Sequence, residues 1–162
     1  MDRAPDEPSH RVVVDAWIRR SVERGSSFEI VGLFGAALEG LWTRAEGTLG
    51  SVTLTAIAER VLGAATGRYP FLSVISPRPN GDARWRERLH ERLASVPKLQ
   101  LLEGLRFALI ELLAVIGRLT AEILSQDLHA AIMAAILVVA PGKKHTAGLH
   151  TVSMAAFGEL PS

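Results

Sequence analysis

The longest apolar stretch of this chain constrains its fold most strongly. Between residues 101 and 140, forty residues carry only seven charged or imidazole side chains, and helix-forming residues dominate the rest. The stretch therefore predicts two long helices that must be buried in a core, against a second copy of the chain, or in a membrane. The seven side chains are Glu103, Arg106, Glu111, Arg118, Glu122, Asp127 and His129.

A permanent membrane span is not expected from this stretch. A transmembrane helix needs about 20 mostly apolar residues, and residues 105–124 are interrupted by charged side chains. Each charge at the bilayer centre would cost roughly 2.5–3.5 kcal/mol. The longest segment without charge or His, residues 130–142, is too short and contains Pro141. A membrane is therefore a less favoured partner than protein.

The composition argues against several classes of function. A chain of 162 residues predicts one domain, and a net charge of +1 gives little attraction to nucleic acid. The absence of Cys excludes disulfides, thiolate metal sites and thiol catalysis. The first residues are polar and lack the apolar core of a secretory signal. We therefore expect a cytoplasmic protein without a nucleic-acid partner.

Helical spacing and cap residues divide the chain into three parts. We predict a flexible arm at 1–8, a helical domain at 9–140 and an extended tail at 141–162. Within the domain, Ser26 and Glu29 form a capping box, and Asp82 is a candidate cap. The fold is predicted to be an all-α, single-domain bundle around a central apolar helix at about 97–124. The other helices are predicted at 9–24, 26–47, 51–67, 83–94 and 125–139.

Two segments between the predicted helices are not regular. Residues 68–75 are apolar and contain Pro70, so they form either a helical turn or a buried extended stretch. Residues 76–81 combine prolines with Asn80-Gly81, which predicts a loop.

A track of small residues on the second helix predicts a close helix crossing. Gly32, Ala36 and Gly40 are spaced by four and lie on one face. Such a face permits another helix to approach closely, either within the chain or from a second copy. These residues are therefore interaction candidates.

The fourth helix carries the densest charge in the chain, with four Arg between residues 84 and 92. Arg and Trp together are typical of nucleic-acid contacts, but Glu87 and Glu91 dilute the positive charge. Trp85 lies on the same stripe as Leu89 and Leu93, which favours packing. We expect a charged outer face for protein docking, with Trp85, Arg88 and Leu89 as candidates.

The histidines give no strong metal or catalytic signature. Glu87 and His90 form the single Glu-x-x-His pair on a predicted helix, whereas a di-metal bundle needs two pairs with further carboxylates. His129 lies two helical turns after Glu122 and would share its face if the helix were continuous. A phosphoacceptor, a haem ligand or a proton relay would use such a residue, but a satisfied or partly exposed histidine is the commoner outcome. We expect no cofactor and no metal.

Two segments resemble the apoptosis-regulator family that carries BH homology segments. Residues 11–25, beginning Arg11-Val12-Val13-Val14-Asp15-Ala16-Trp17-Ile18, are similar to the first helix of that family. Residues 121–132 (AEILSQDLHAAI) are similar to its late core helix. The resemblance implies a hydrophobic groove that binds a partner helix, and a helical hairpin that enters a membrane.

These patterns favour a non-enzymatic interaction or regulatory module that self-associates through an apolar helical face. The alternative is a bundle whose hydrophobic groove binds a partner helix or lipid-like ligand, with insertion of the 101–140 hairpin into a membrane. A third possibility is an enzyme or metal protein whose site carries no sequence signature. The first two differ in oligomeric state and in dependence on lipid.

Overall fold

The computed structural model describes residues 9–77 and 84–138, and this part of the chain folds into six α-helices without a strand. The predicted all-α bundle is confirmed. The predicted arm at 1–8, the tail at 141–162 and the Asp82 cap lie outside the described residues. The elements are α1 (His10–Arg24), α2 (Ser27–Leu49), α3 (Ser51–Arg68), a 3-10 helix (Pro70–Val74), α4 (Trp85–Leu93), α5 (Lys98–Leu119) and α6 (Ser125–Val138).

Local cap chemistry fixes where the first two helices begin. The Ser9 hydroxyl accepts from the Val12 amide at the start of α1. The predicted capping box of α2 is present, because the Glu29 amide donates to Ser26 Oγ at 3.3 Å. In return, the Ser26 amide donates to Glu29 Oε2 at 3.1 Å. Both caps satisfy amides that a helix N-terminus leaves without intrahelical partners.

Two helices share the centre of the bundle. α5 packs against α1, α2, α3 and α6, and ten of its residues are buried. α2 contacts each of the other five helices, with its most extensive contact to α6. The main core therefore lies around α2 and α5, including the fully buried Trp17, Phe34 and Leu109.

The predicted end of the fifth helix, near residue 124, is wrong. α5 ends at Leu119, and residues 120–124 form a turn before α6 begins at Ser125. Ala121 and Glu122 have φ values of 50° and 64°, in the left-handed region that non-glycine residues adopt at a cost. The Glu122 amide donates to the Gly117 carbonyl at 2.8 Å, which closes the helix end. The turn reverses the chain so that α6 packs on α2.

Candidate functional site

An open groove lies between α2 and α6 on the outside of the bundle. Its floor consists of small residues from both helices: Ala36, Gly40, Ala131, Ala134 and Ala135. Its borders carry Glu39, Thr43, Arg44 and Arg86. Since the floor residues do not project far from the helix backbones, another helix can approach this surface closely.

The predicted small-residue track is divided among three environments. A Cβ added at Gly32 would meet the His90 ring of α4 at 3.6 Å. A Cβ added at Gly40 would meet the Ala131 Cβ of α6 at 3.4 Å. Ala36, between them, lines the groove. Gly32 therefore packs against α4, whereas Gly40 and Ala36 both line the groove and Gly40 also contacts α6.

A carboxylate on α2 anchors α4. The Trp85 indole N–H donates to Glu39 Oε1 at 3.1 Å, and Arg86 Nε donates to the same oxygen at 2.9 Å. Arg86 Nη2 donates to the second oxygen of Glu39. Trp85 and Leu89 are buried, whereas Arg88 is exposed. Of the three α4 residues predicted for docking, two belong to the core.

A polar cluster joins the first turn of α1 to the start of α6. His10 Nδ1 lies 2.8 Å from His129 Nε2, and the two rings meet edge to face. His10 Nε2 lies 3.3 Å from Glu122 Oε2, and the Ser125 hydroxyl donates to that same oxygen. We call these four residues the histidine cluster. His129 is buried, with 7% of its surface exposed.

The α5–α6 turn places Glu122 in this cluster. Its carboxylate folds back over Gly117, where an added Cβ would meet Glu122 Oε2 at 2.7 Å. The helix is therefore not continuous between Glu122 and His129, yet both side chains reach His10 from different directions. Because His10 offers a different nitrogen to each neighbour, the donor atoms do not converge on one point. No group of three or more ligand residues in the described ranges is arranged to hold a metal.

A further histidine, His90 of α4, lies against α2. The His90 ring stacks on Phe28, with centroids 4.2 Å apart. Burial lowers the pKa of His90, and the positive charge of Arg86 lowers it further. Within the described part of the chain, its buried Nδ1 has no hydrogen-bond partner. This environment favours the neutral ring.

An ion pair joins α1 to α5. Arg106 Nε donates to Asp15 Oδ1 at 2.6 Å, and both side chains are nearly half exposed. The hydrogen bond from Arg106 lowers the pKa of the Asp15 carboxyl, and the opposing effect of desolvation is smaller. The same hydrogen bond raises the pKa of Arg106. A polar cleft opens beside the pair, lined by Arg11, Arg68, Tyr69, Glu103, Phe107, Ile110 and Glu111 as well as Arg106.

An apolar crevice lies between α2, α3 and α5. One polar side chain, Ser76, lines it; Trp42 and Leu112 are among its apolar residues. Its cavity volume is about 30 Å³, which is room for one or two water molecules. A larger ligand would enter only if the helices moved apart.

Sequence patterns did not identify His10 or Glu39 as members of a site. His10 follows the cap residue Ser9, so its type and position look like an ordinary helix start. Glu39 lies three residues after Ala36, and this spacing places it beside the small-residue track. That neighbourhood is the one signal that could have pointed to a charged border of the groove.

No family model, curated protein or solved structure matches this chain. In the described residues, no helix has both the length and the hydropathy needed to cross a membrane.

Proposed function

We propose that this chain is a non-enzymatic interaction module that self-associates through the groove between α2 and α6. The observation that carries the proposal is the all-small floor of an exposed groove, which includes the predicted residues Ala36 and Gly40. Helices packed through small residues come within about 8–10 Å of one another. The groove therefore offers a surface on which a second helix pair fits without displacing large side chains.

The internal packing beneath the groove supports a fixed docking surface. Gly40 of α2 is in contact with Ala131 of α6, so the two helices nearly touch along the floor. On one border, Glu39 is held by Trp85 and Arg86. A surface built on such contacts is already ordered before a partner arrives, which reduces the entropic cost of association.

The charged borders favour a second copy as the partner. In a two-fold symmetric contact, residue i of one copy meets residue j of the other, and j meets i. Arg44 and Glu39 both border the groove and have opposite charge. A symmetric dimer can therefore set Arg44 of each copy near Glu39 of the other, which makes the surface complementary to itself.

Sedimentation equilibrium of Ala134→Glu tests this proposal directly. Ala134 is exposed and lines the groove, so Glu there introduces a charge at the contact without entering the core. We expect the wild-type chain to form a concentration-dependent dimer and Ala134→Glu to sediment as a folded monomer. Ala130→Glu is the matched control, because Ala130 is exposed on the same helix but does not line the groove.

The control should retain the wild-type mass, and adding liposomes should leave all three masses unchanged. A wild-type chain that is monomeric at every concentration would contradict self-association. Equal masses for Ala134→Glu and the wild-type dimer would instead place the contact elsewhere on the surface.

The apolar crevice supports a second candidate function, the binding of a partner helix or lipid-like ligand. Its lining is apolar apart from Ser76, as in many small-molecule sites. Trp42 lines the crevice, so dodecanoate binding should shift its fluorescence. The Trp42→Phe variant should lose that shift. Unchanged Trp42 emission at saturating dodecanoate would count against this function.

A further inference from the structure

We propose that the polar cleft beside the Asp15–Arg106 pair binds a short zwitterionic peptide, with the peptide carboxylate on Arg68 and its ammonium group on Glu111. The proposal goes beyond the self-association proposed above, because the cleft shares no residue with the groove between α2 and α6. The cleft has a volume of about 580 Å³, within the range of about 300–1,000 Å³ that is typical of small-molecule sites. It is therefore large enough for a short peptide.

One face of α5 forms the floor of the cleft. The α5 residues on this floor recur at spacings of three and four, as positions on one helical face do: Glu103, Arg106, Phe107, Ile110 and Glu111. The end of α3 supplies Arg68 and Tyr69, and the start of α1 supplies Arg11. Since α1 and α3 both pack on α5, these two helices form the walls.

The cleft contains charges of both signs that are not paired with one another. Within the described residues, neither Arg11 nor Arg68 makes an ion pair. The same is true of the carboxylates of Glu103 and Glu111 in that part of the chain. A purely anionic ligand would meet two glutamates, and a purely cationic ligand would meet two arginines. A ligand that carries one charge of each sign can avoid both repulsions.

The guanidinium of Arg68 is the carboxylate site that the cleft offers best. It lies 5.3 Å from the centroid of the Phe107 ring and 6.0 Å from that of Tyr69. These ring contacts restrict a long side chain, which lowers the entropy lost when a ligand binds. Among the described residues, no acceptor takes a hydrogen bond from Arg68. Its planar fork of N–H groups, which matches a carboxylate, is therefore available.

Glu111 is the corresponding site for an ammonium group. It is half-buried, whereas Glu103 is exposed, and a partly desolvated carboxylate attracts a cation more strongly. Glu111 lies one helical turn, about 6 Å, after Phe107, on which Arg68 lies. Two residues of extended chain span about 7 Å, so a dipeptide can reach both charges. Its side chains would lie on Ile110, which is partly buried between them.

Fluorine NMR of the whole chain tests the proposal, because the sequence contains one Tyr. Labelling with fluorotyrosine therefore gives a single signal, which reports on Tyr69 in the cleft. The dipeptide alanyl-phenylalanine should shift this signal in a saturable way. Its N-acetylated form and its C-terminal amide should each bind about tenfold more weakly, since each lacks one charge-assisted hydrogen bond.

Two variants test the assignment of the peptide's ends. Arg68→Gln should remove the preference for the free carboxylate over the amide, but keep the preference for the free amino group. Glu111→Gln should show the reverse. A merely structural role would weaken both preferences together, which would overturn the assignment. Arg60→Gln is the matched control for Arg68→Gln, because Arg60 is exposed on α3 and does not line the cleft. It should bind as the wild type does.

The wild-type titrations need no variant, so the proposal stays falsifiable if a substitution prevents folding. The absence of a saturable shift at millimolar dipeptide would overturn it. Equal affinities for the free, acetylated and amidated peptides would also overturn it, because the charges would then play no part. Inorganic phosphate that binds as tightly as the dipeptide would identify a plain anion site and would overturn the zwitterionic ligand.

Discussion

The two ends of α5 each contain a glycine on which a side chain from another element lies. At Gly104, the Phe71 ring of the 3-10 helix lies so close that an added Cβ would be 2.5 Å from Cζ. At Gly117, the Glu122 carboxylate occupies that space, 2.7 Å from an added Cβ. At both glycines the neighbouring side chain occupies the space that a Cβ would take, but one neighbour is an aromatic ring and the other is a charged group.

The two glycines of α5 therefore have different roles: one allows a ring to pack, and the other allows a charged side chain to be positioned. Phe71 packs against the core cluster and belongs to the aromatic contacts with Tyr69. A ring in that setting has few alternative positions. The Glu122 carboxylate is the end of a flexible, half-exposed side chain and can swing into solvent. Gly104 therefore serves mainly stability, whereas Gly117 serves mainly the placement of Glu122 beside His10.

The buried apolar face of α5 lies between the two glycines. A substitution on this face should have the largest effect on stability, and the glycine variants are compared with it. Leu109 is fully buried, so Leu109→Ala should lower the free energy of unfolding by about 2–5 kcal/mol in urea melts. Leu119→Ala is the control on the same helix, because Leu119 is 59% exposed. It should change stability by less than about 0.5 kcal/mol. A loss below about 1 kcal/mol for Leu109→Ala would mean that α5 is not a core helix.

Gly104→Ala tests the packing end of the comparison. The new methyl group must push the Phe71 ring aside, and overpacking of this kind costs about 1–3 kcal/mol. Gly63→Ala on α3 is the matched control, because nothing lies within 4 Å of its added Cβ. It should gain up to about 1 kcal/mol from the higher helix propensity of Ala. Both variants are measured by urea unfolding, and equal stabilisation of the two would remove the role given to Phe71.

Gly117→Ala tests the positioning end, where the effect on stability should be smaller. The methyl group displaces a movable carboxylate, and the gain in helix propensity of up to about 1 kcal/mol offsets the lost contacts. We expect the free energy of unfolding to stay within about 1 kcal/mol of the wild type. The imidazole NMR signals of His10 should nevertheless shift as Glu122 moves away. A large destabilisation without such a shift would show that Gly117, like Gly104, mainly serves packing.

Sequence patterns were sufficient to predict the helices, but they did not predict the turn that ends α5. The capping box at Ser26 and Glu29 is local, so four residues contain all of its information. By contrast, Ala121 and Glu122 are good helix formers, and nothing beside them predicts a left-handed turn. The turn is accompanied by contacts to His10, which precedes His129 by 119 residues. Tertiary contacts of this separation are not visible in helical periodicity.

The groove was predictable only in its local part, the face of small residues on α2. Gly32, Ala36 and Gly40 share a helical face, and spacing alone predicts a close crossing. Which helix covers each position depends on the path of α4 and α6, which the small-residue spacing does not encode. The border residue Glu39 acquires its partners Trp85 and Arg86 through that path, 46 and 47 residues later in the chain.

The smallest expected effect concerns the Asp15–Arg106 pair, which lies next to the packing end of α5. Because Arg106 lowers the pKa of Asp15, the unfolded chain binds this proton more readily than the folded chain. The pair's contribution is therefore present at neutral pH and is lost as the pH falls from about 4 through the folded-state pKa. Both side chains are nearly half exposed, so solvent screening limits the contribution to about 0–1 kcal/mol.

Asp15→Asn should consequently be slightly less stable than the wild type at pH 7, with the difference shrinking as the pH falls below about 4. Urea melts across this range provide the measurement, and Glu59→Gln, at an exposed position of α3, is the control. A difference that grows on acidification would have the opposite sign to the one required by a lowered pKa. A neutral-pH loss as large as that of Gly104→Ala would show that the ion pair, rather than the Phe71 contact, holds this end of α5.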